Sequence, residues 1–142
     1  MAHIRKTIRD AVVTAITGLT TTGGNVYAQY PFTRPQGAAL FVWSESERIE
    51  TSQGKLEYRQ SNITIDAQYQ GEDAQDTIDQ ICLEVEAAIG ADPTLSGACL
   101  DCYLTNVEME IDGESSKQMG RARMSYQFDY AVRQGAPDTK LY

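Results

Sequence analysis

The sequence has few of the residues from which active sites are commonly built. Its 142 residues include one histidine, His3, and three cysteines. One histidine excludes a multi-histidine metal site, and we expect His3, at the start of the chain, to be an exposed end residue outside any Ser-His-Asp triad. An odd cysteine count without a dense pattern is typical of free thiols in a reducing compartment.

Cys99 and Cys102 form a CxxC pair, the one cysteine motif in the chain. A zinc site would need a second such pair, and a redox pair would need a helix N-terminus to lower its thiol pKa. Here the motif falls in a predicted strand, where residues three apart point to opposite faces. The sequence therefore predicts no catalytic, metal-binding or cofactor-binding residues, and no enzyme.

Long apolar runs are also lacking. No stretch approaches the roughly 20 residues that span a bilayer, and the N-terminus lacks the apolar region of a secretory signal. We therefore expect a soluble, non-exported protein without a membrane partner. Its length favours one domain, assigned to residues 1–133, followed by a flexible C-terminal tail at 134–142.

Basic residues are absent from one long segment. No Lys or Arg lies between Gln60 and Ser116, whereas the remainder holds all 12 bases and seven of the 20 acids. This acidic block either keeps the protein soluble or serves assembly, and it argues against tight binding of nucleic acid. Its 13 acids are Asp66, Glu72, Asp73, Asp76, Asp79, Glu84, Glu86, Asp92, Asp101, Glu108, Glu110, Asp112 and Glu114.

Residues 73–90 carry the clearest helical pattern, with an apolar stripe at Ile78, Ile81, Cys82, Val85 and Ile89. We expect Gly90 to end this helix in a left-handed conformation. Acids near a helix C-terminus are unfavourable, so Glu84 and Glu86 suggest an external requirement. The polar side of the helix supplies three candidate interaction residues: Asp76, Asp79 and Glu86.

A second helix is predicted over residues 3–18, because isoleucine or valine recurs every four residues from Ile4 to Ile16. Its first turns carry Arg5, Lys6 and Arg9, which oppose the helix dipole. These three basic residues are further candidates for an interaction surface. After the acidic helix, Asp92 and Pro93 predict a short helical turn that Gly97 ends.

Strands are predicted at residues 26–30, 38–49, 56–69, 99–111 and 119–132. Tyr58 and Ile63 have opposite parity, which predicts a bulge or a change of buried face. Alternation places Tyr103, Thr105, Val107, Met109 and Ile111 on one face of the fourth strand. The polar face of the last strand, which includes Arg121 and Arg123, is expected to be solvated. The order of elements predicts an α+β fold: a mostly antiparallel sheet with two helices packed on one face.

The hairpin of the second and third strands is almost wholly polar in its outer half, residues 44–60. A polar hairpin covers no core, so we predict that it projects as an arm. It is the candidate for contact with another subunit or with a tube by strand addition. Its candidate contact residues are Glu45, Glu47, Arg48, Glu50 and Lys55.

Taken together, the elements resemble a known family along nearly the whole chain. They begin with a helix of sequence IRKTIRDAVVTAITGL and a polar hairpin after ALFVW. The acidic helix DTIDQICLEVEAAI, the turn DPTLSG and a final hairpin of LTNVEMEIDG and ARMSYQFDYAV follow. This layout resembles the tail-terminator, or tail-completion, proteins of long-tailed bacteriophages.

The resemblance implies a structural virion protein and no enzyme activity. Such a protein forms a homo-oligomeric, hexameric ring that caps the tail tube, stops its growth and joins it to the head-tail connector protein. Its partners would be the tail-tube protein and the connector, and DNA would pass the lumen without specific binding. It would be assembled in the host cytoplasm and lie at the head-proximal end of the tail.

Two alternatives remain at this stage. The chain could be another neck or tail-tube component of the virion, or a non-viral α+β module that binds a small ligand. The charge distribution is compatible with a ring, because a ring needs a heterologous interface between different patches. An acidic block and a net basic remainder supply such patches, and acids in a lumen would also repel DNA. The sequence leaves open which of these two uses the acidic helix serves.

Overall fold

The computed structural model describes residues 2–31, 37–113 and 118–142. In order, its elements are α1 (Ile4–Ile16), β1 (Val26–Tyr27), β2 (Gly37–Thr51), β3 (Leu56–Gly71), α2 (Ala74–Gly90), β4 (Asp101–Asp112), β5 (Gln118–Arg133) and β6 (Ala136–Lys140). The strands form one sheet in the order β1-β2-β3-β5-β4. Every pair is antiparallel except β1 with β2, which confirms the predicted α+β class.

The core lies between one face of this sheet and the two helices. Along β5 the buried side chains alternate from Gly120 to Tyr130, and the stripes of α1 and α2 pack on the same face. We call this side the helix face and the opposite side the back face. The sheet contributes Leu40, Val42, Ile63, Ile65, Ala67, Ala122, Met124, Tyr126, Phe128, Tyr130 and Val132 to the core.

Helix α2 matches its prediction closely, and its whole predicted stripe is buried. Gly120 of β5 lets it come near the sheet, since an added Cβ there would lie 2.6 Å from Ile78 Cγ1. The predicted left-handed end is wrong: the helix runs through Gly90 into Ala91, which keeps a right-handed helical φ of −69°. The left-handed residue is instead Asp73, ahead of the first turn.

Two register shifts decide which side chains face the helices. One lies between Ser44 and Ser46 of β2 and the other between Leu104 and Asn106 of β4. Neither the bulge nor the change of buried face that was predicted between Tyr58 and Ile63 occurs in β3. The strand pairs with β5 without a shift, and Tyr58 is exposed on the back face. The predicted common face of β4 is also wrong because of its bulge: Tyr103 lies on the back face and Val107 on the helix face.

The C-terminal residues are not the loose tail that the sequence predicts. Strand β6 pairs with β5, and Leu141 N–H donates to the Ala131 carbonyl at 3.1 Å. The Tyr142 hydroxyl donates to the Ala98 carbonyl at 2.6 Å. This pairing is possible because β4 begins at Asp101, which leaves the end of β5 open.

The turn after α2 also differs from its prediction. No helical turn forms at residues 92–97; instead Leu95 and Ser96 have φ values of 51° and 59°. Asp92 holds this turn, because its carboxylate accepts from the Ser96 backbone N–H at 2.7 Å.

Candidate assembly surfaces

Several predicted interaction residues are used inside the molecule. Glu47 accepts hydrogen bonds from Arg5 Nη1 at 3.0 Å, Arg59 Nη1 at 3.0 Å and the Tyr130 hydroxyl at 2.7 Å. Its side chain is 7% exposed. Burial alone would lower the pKa of Arg59, but its bonds to Glu57, Tyr130 and Glu47 outweigh that effect and raise the pKa. This partly buried cluster ties α1, β2, β3 and β5 together.

Other candidates on α1 and at the base of the hairpin also have partners within the chain. Arg9 Nη1 donates to Ser44 Oγ at 2.8 Å, and Glu45 accepts from the Thr64 hydroxyl at 3.0 Å. Lys6 pairs with Asp10 at 2.7 Å on the exposed side of the helix. Of the three basic residues predicted to form a surface, therefore, Lys6 is the one whose partner in the described part of the chain lies within α1.

His3 is not the exposed end residue that the sequence predicts. It is half-buried and caps α1, because its Nδ1 accepts from the Arg5 backbone N–H at 3.1 Å. Its pKa is lowered, first by burial and then by the nearby charge of Arg5.

The polar hairpin forms, but it does not project as a separate arm. Its β3 strand is paired on both sides, to β2 and to residues 129–133 of β5. The other side of β2 is open: within the described residues, β1 pairs with it only at Leu40 and Phe41. Arg48, Ile49, Glu50 and Lys55 are exposed near this open edge.

On α2, the three acidic candidates Asp76, Asp79 and Glu86 are exposed, as the helical pattern predicts. Leu83, the most exposed large apolar residue of the described chain at 61%, lies on the same helix. The structure therefore leaves this side of α2 as an acidic surface around an apolar side chain.

Glu84 has an internal role that corrects its prediction as a sign of an external requirement. It accepts from the Thr21 backbone N–H at 2.9 Å and from the Thr21 hydroxyl at 2.6 Å. Burial opposes ionisation and is the largest single influence, but these bonds and one from Gln80 together outweigh it and lower the pKa of Glu84. Its carboxylate thus anchors the loop after α1.

The acidic block is also not without counter-charges once the chain folds. Asp66, fully buried on the back face, accepts from Arg121 Nη2 at 2.6 Å and lies 3.6 Å from Arg123 Nε. Arg121 and Arg123 lie directly opposite Glu110 and Glu108 in the register of β4 and β5. The back face of β5 is therefore half-buried and charged, not fully solvated as predicted. Glu114 lies outside the described residues.

The sequence predicted strand β4 but not its position at the outer edge of the sheet. Val107, Met109 and Ile111 lie on the helix face, yet they are 37%, 48% and 37% exposed, because α2 does not reach them. We call these three residues the apolar stripe. The back face of the same segment carries Glu108, Glu110 and Asp112. The alternation EMEID in the sequence was a signal, but it does not distinguish an exposed edge from a core strand.

The cysteines have the properties of packing residues. Burial raises the pKa of Cys99 to about 12 and that of Cys102 to about 11. A thiol with a raised pKa is a poor nucleophile and a poor metal ligand. Within residues 2–31, 37–113 and 118–142, no group of three or more His, Cys, Asp or Glu side chains could hold a metal ion. Neither helix of the described chain is long and apolar enough to cross a membrane.

No protein-family model and no curated protein matches the chain. Among solved structures, it is similar to a chain of a particle described as the virion of a native gene transfer agent. The two are 15% identical and superpose with a TM-score of 0.46, and the match covers 92% of each chain. A likeness of this degree does not assign a family or a function to the protein.

Proposed function

We propose that the protein is a structural subunit of a phage-type virion that assembles into a ring, without enzymatic activity, and terminates the tail tube. The ring, a hexamer by resemblance, would contact the tail-tube protein on one side and the head-tail connector on the other. DNA would pass its lumen without specific binding.

The observation that carries the proposal is the outer strand β4. It is 12 residues long, its outer edge is unpaired within the described residues, and it exposes the apolar stripe. A long open edge with apolar side chains promotes pairing with another chain, so a stable protein has to cover it. An assembly subunit does so with its neighbour, and the order of elements in the sequence resembles a family whose members work as rings.

Electron microscopy of the purified protein, alone and with the tail-tube protein of the same particle, tests this proposal. Rings are expected, and tubes polymerised in the presence of the protein should stop at a ring and be shorter than tubes grown without it. A protein that stays monomeric at high concentration and leaves tube length unchanged would show that the proposal is wrong.

A further inference from the structure

We propose that the ring is held by head-to-tail strand pairing: the outer end of β2, residues 46–51, of one copy pairs with β4, residues 106–112, of the next. This inference rests on the proposed ring and names its interface. Both segments are unpaired on their outer side within the described residues, and they belong to the two opposite edges of one sheet.

Strand directions permit this pairing. The pairs β2–β3, β3–β5 and β5–β4 are all antiparallel, so β2 and β4 run in opposite directions. Residues 46–51 lie level with residues 127–132 of β5, whereas residues 106–112 lie level with residues 119–125, so pairing them shifts the second copy along the strands. A closed ring with this shift has strands tilted to its axis, as in a barrel. Rotation about the axis of such a ring brings β2 of the second copy beside β4 as an antiparallel neighbour. The rotation keeps the helix face of one copy next to the helix face of the other. The interface is therefore heterologous, as a ring requires.

The apolar residues meet on the helix face. Ile49 lies opposite Arg59, which lies opposite the core residue Tyr130, so Ile49 points to the helix face. It is 45% exposed there. The apolar stripe of β4 lies on the same face, so pairing would bring Ile49 against it and remove both from water. Cross-strand apolar pairs of this kind stabilise a sheet.

The charges match on the back face. Arg48 lies opposite Gln60 and belongs to the back face, where its side chain is 74% exposed. Glu108, Glu110 and Asp112 of β4 occupy the same face. Glu50 shares this face with Arg48, so the favoured register places Arg48, not Glu50, between the acids of the neighbour.

The two symmetric alternatives fit less well. A β4 edge paired with a second β4 edge would bring Glu108 and Glu110 of both copies together on the back face, and like charges directly opposite are destabilising. A β2 edge paired with a second β2 edge would leave the apolar stripe uncovered. The complementary edge for β4 is therefore β2.

Two variants, each with one edge disabled, test the pairing: Arg48→Glu with Ile49→Asp on β2, and Val107→Asp with Met109→Asp on β4. All four side chains are exposed or largely exposed, so circular dichroism should show both variants folded. By analytical ultracentrifugation we expect each variant alone to be monomeric. Their mixture should form a one-to-one dimer and nothing larger, because it contains one intact pair of edges.

A charge exchange provides a second test that requires no apolar substitution. Arg48→Glu should weaken self-association about tenfold or more. Adding Asp112→Lys, which lies opposite Met119 and not opposite an arginine of its own chain, should restore part of it. If each disabled variant formed rings on its own, or if their mixture formed no dimer, the proposed interface would be wrong. The proposal that the wild-type protein forms a ring would be unaffected. Wild-type protein that forms no ring with or without the tail-tube protein would instead overturn the proposed function.

Discussion

Glu47 accepts hydrogen bonds from side chains of three other elements: Arg5 on α1, Arg59 on β3 and Tyr130 on β5. A carboxylate removed from water is tolerated when its oxygens are fully used, and this one has a partner on each oxygen. Residue chemistry alone predicted a surface contact here. Glu47 instead binds inside the molecule, and its partners Arg5 and Tyr130 are 42 and 83 positions away in the sequence. No local sequence pattern indicates contacts of this kind.

Replacing Glu47 with alanine should reduce the free energy of unfolding by about 3 kcal/mol, because it leaves Arg5 and Arg59 without their shared acceptor. Denaturant titration measures the change. Glu50→Ala is the matched control on the same strand; its side chain is 68% exposed and we expect a change within about 0.5 kcal/mol. Equal effects of the two substitutions would contradict the structural role of Glu47.

At the scale of elements, periodicity predicted most where one face is buried along a whole element. The stripe of α2 and the alternation of β5 gave both elements their bounds to within a residue and their buried faces. The bulges in β2 and β4 could not be predicted, because a bulge is a property of a strand pair and not of one strand. Thr105 is the extra residue of the bulge in β4. Because the sequence pattern does not show this bulge, Tyr103 was predicted to share a face with Val107, whereas the two lie on opposite faces.

The same limit applies to edges. Val107, Met109 and Ile111 alternate as core residues do, and their exposure follows from the position of β4 outside the reach of α2. Strand β6 has no alternation at all, and it forms because the end of β5 is open. Both the candidate interface and the fixed C-terminus thus depend on which strands become neighbours. The exposed acids of α2, by contrast, followed from the helical period alone.

An element-scale prediction concerns Glu84, which joins α2 to the loop after α1. Glu84→Gln removes one acceptor oxygen from Thr21, so we expect a loss of about 1 kcal/mol at pH 7. The pKa of Glu84 is lowered in the folded state, so its contribution is present above the unfolded pKa and is lost as pH falls through the folded pKa. The deficit of the variant should therefore shrink in acid.

Denaturant titrations between pH 7 and pH 3 measure this effect. Glu86→Gln, two residues further along the same helix and exposed, is the control and should change stability little at any pH. A deficit that stays constant down to pH 3 would show that the Glu84 carboxylate does not act through its charge.

For the whole molecule, joining sheets edge to edge has a consequence for the acids of α2. The rotation that forms the ring puts both helices of every copy on the same side of a continuous wall of strands. The helix face carries a layer of two helices, whereas the back face carries side chains such as Tyr27 over Phe41 and Tyr30 over Trp43. The thicker helix layer needs the larger circumference. We therefore expect the helices outside, with Asp76, Asp79 and Glu86 on the outer surface of the ring rather than in the lumen.

Asp79→Lys combined with Glu86→Lys tests this arrangement. Both side chains are exposed, so the melting temperature should stay nearly unchanged, and rings should still form because the variant keeps both sheet edges. Joining of rings to tail tubes or to connectors, counted in micrographs, should fall, since reversed charge repels a partner suited to acids. Asp10→Lys on α1 is the control and should leave joining intact. Rings of the lysine variant that retain duplex DNA when wild-type rings do not would instead place α2 in the lumen, and unchanged joining would leave its acids with the role of keeping the protein soluble.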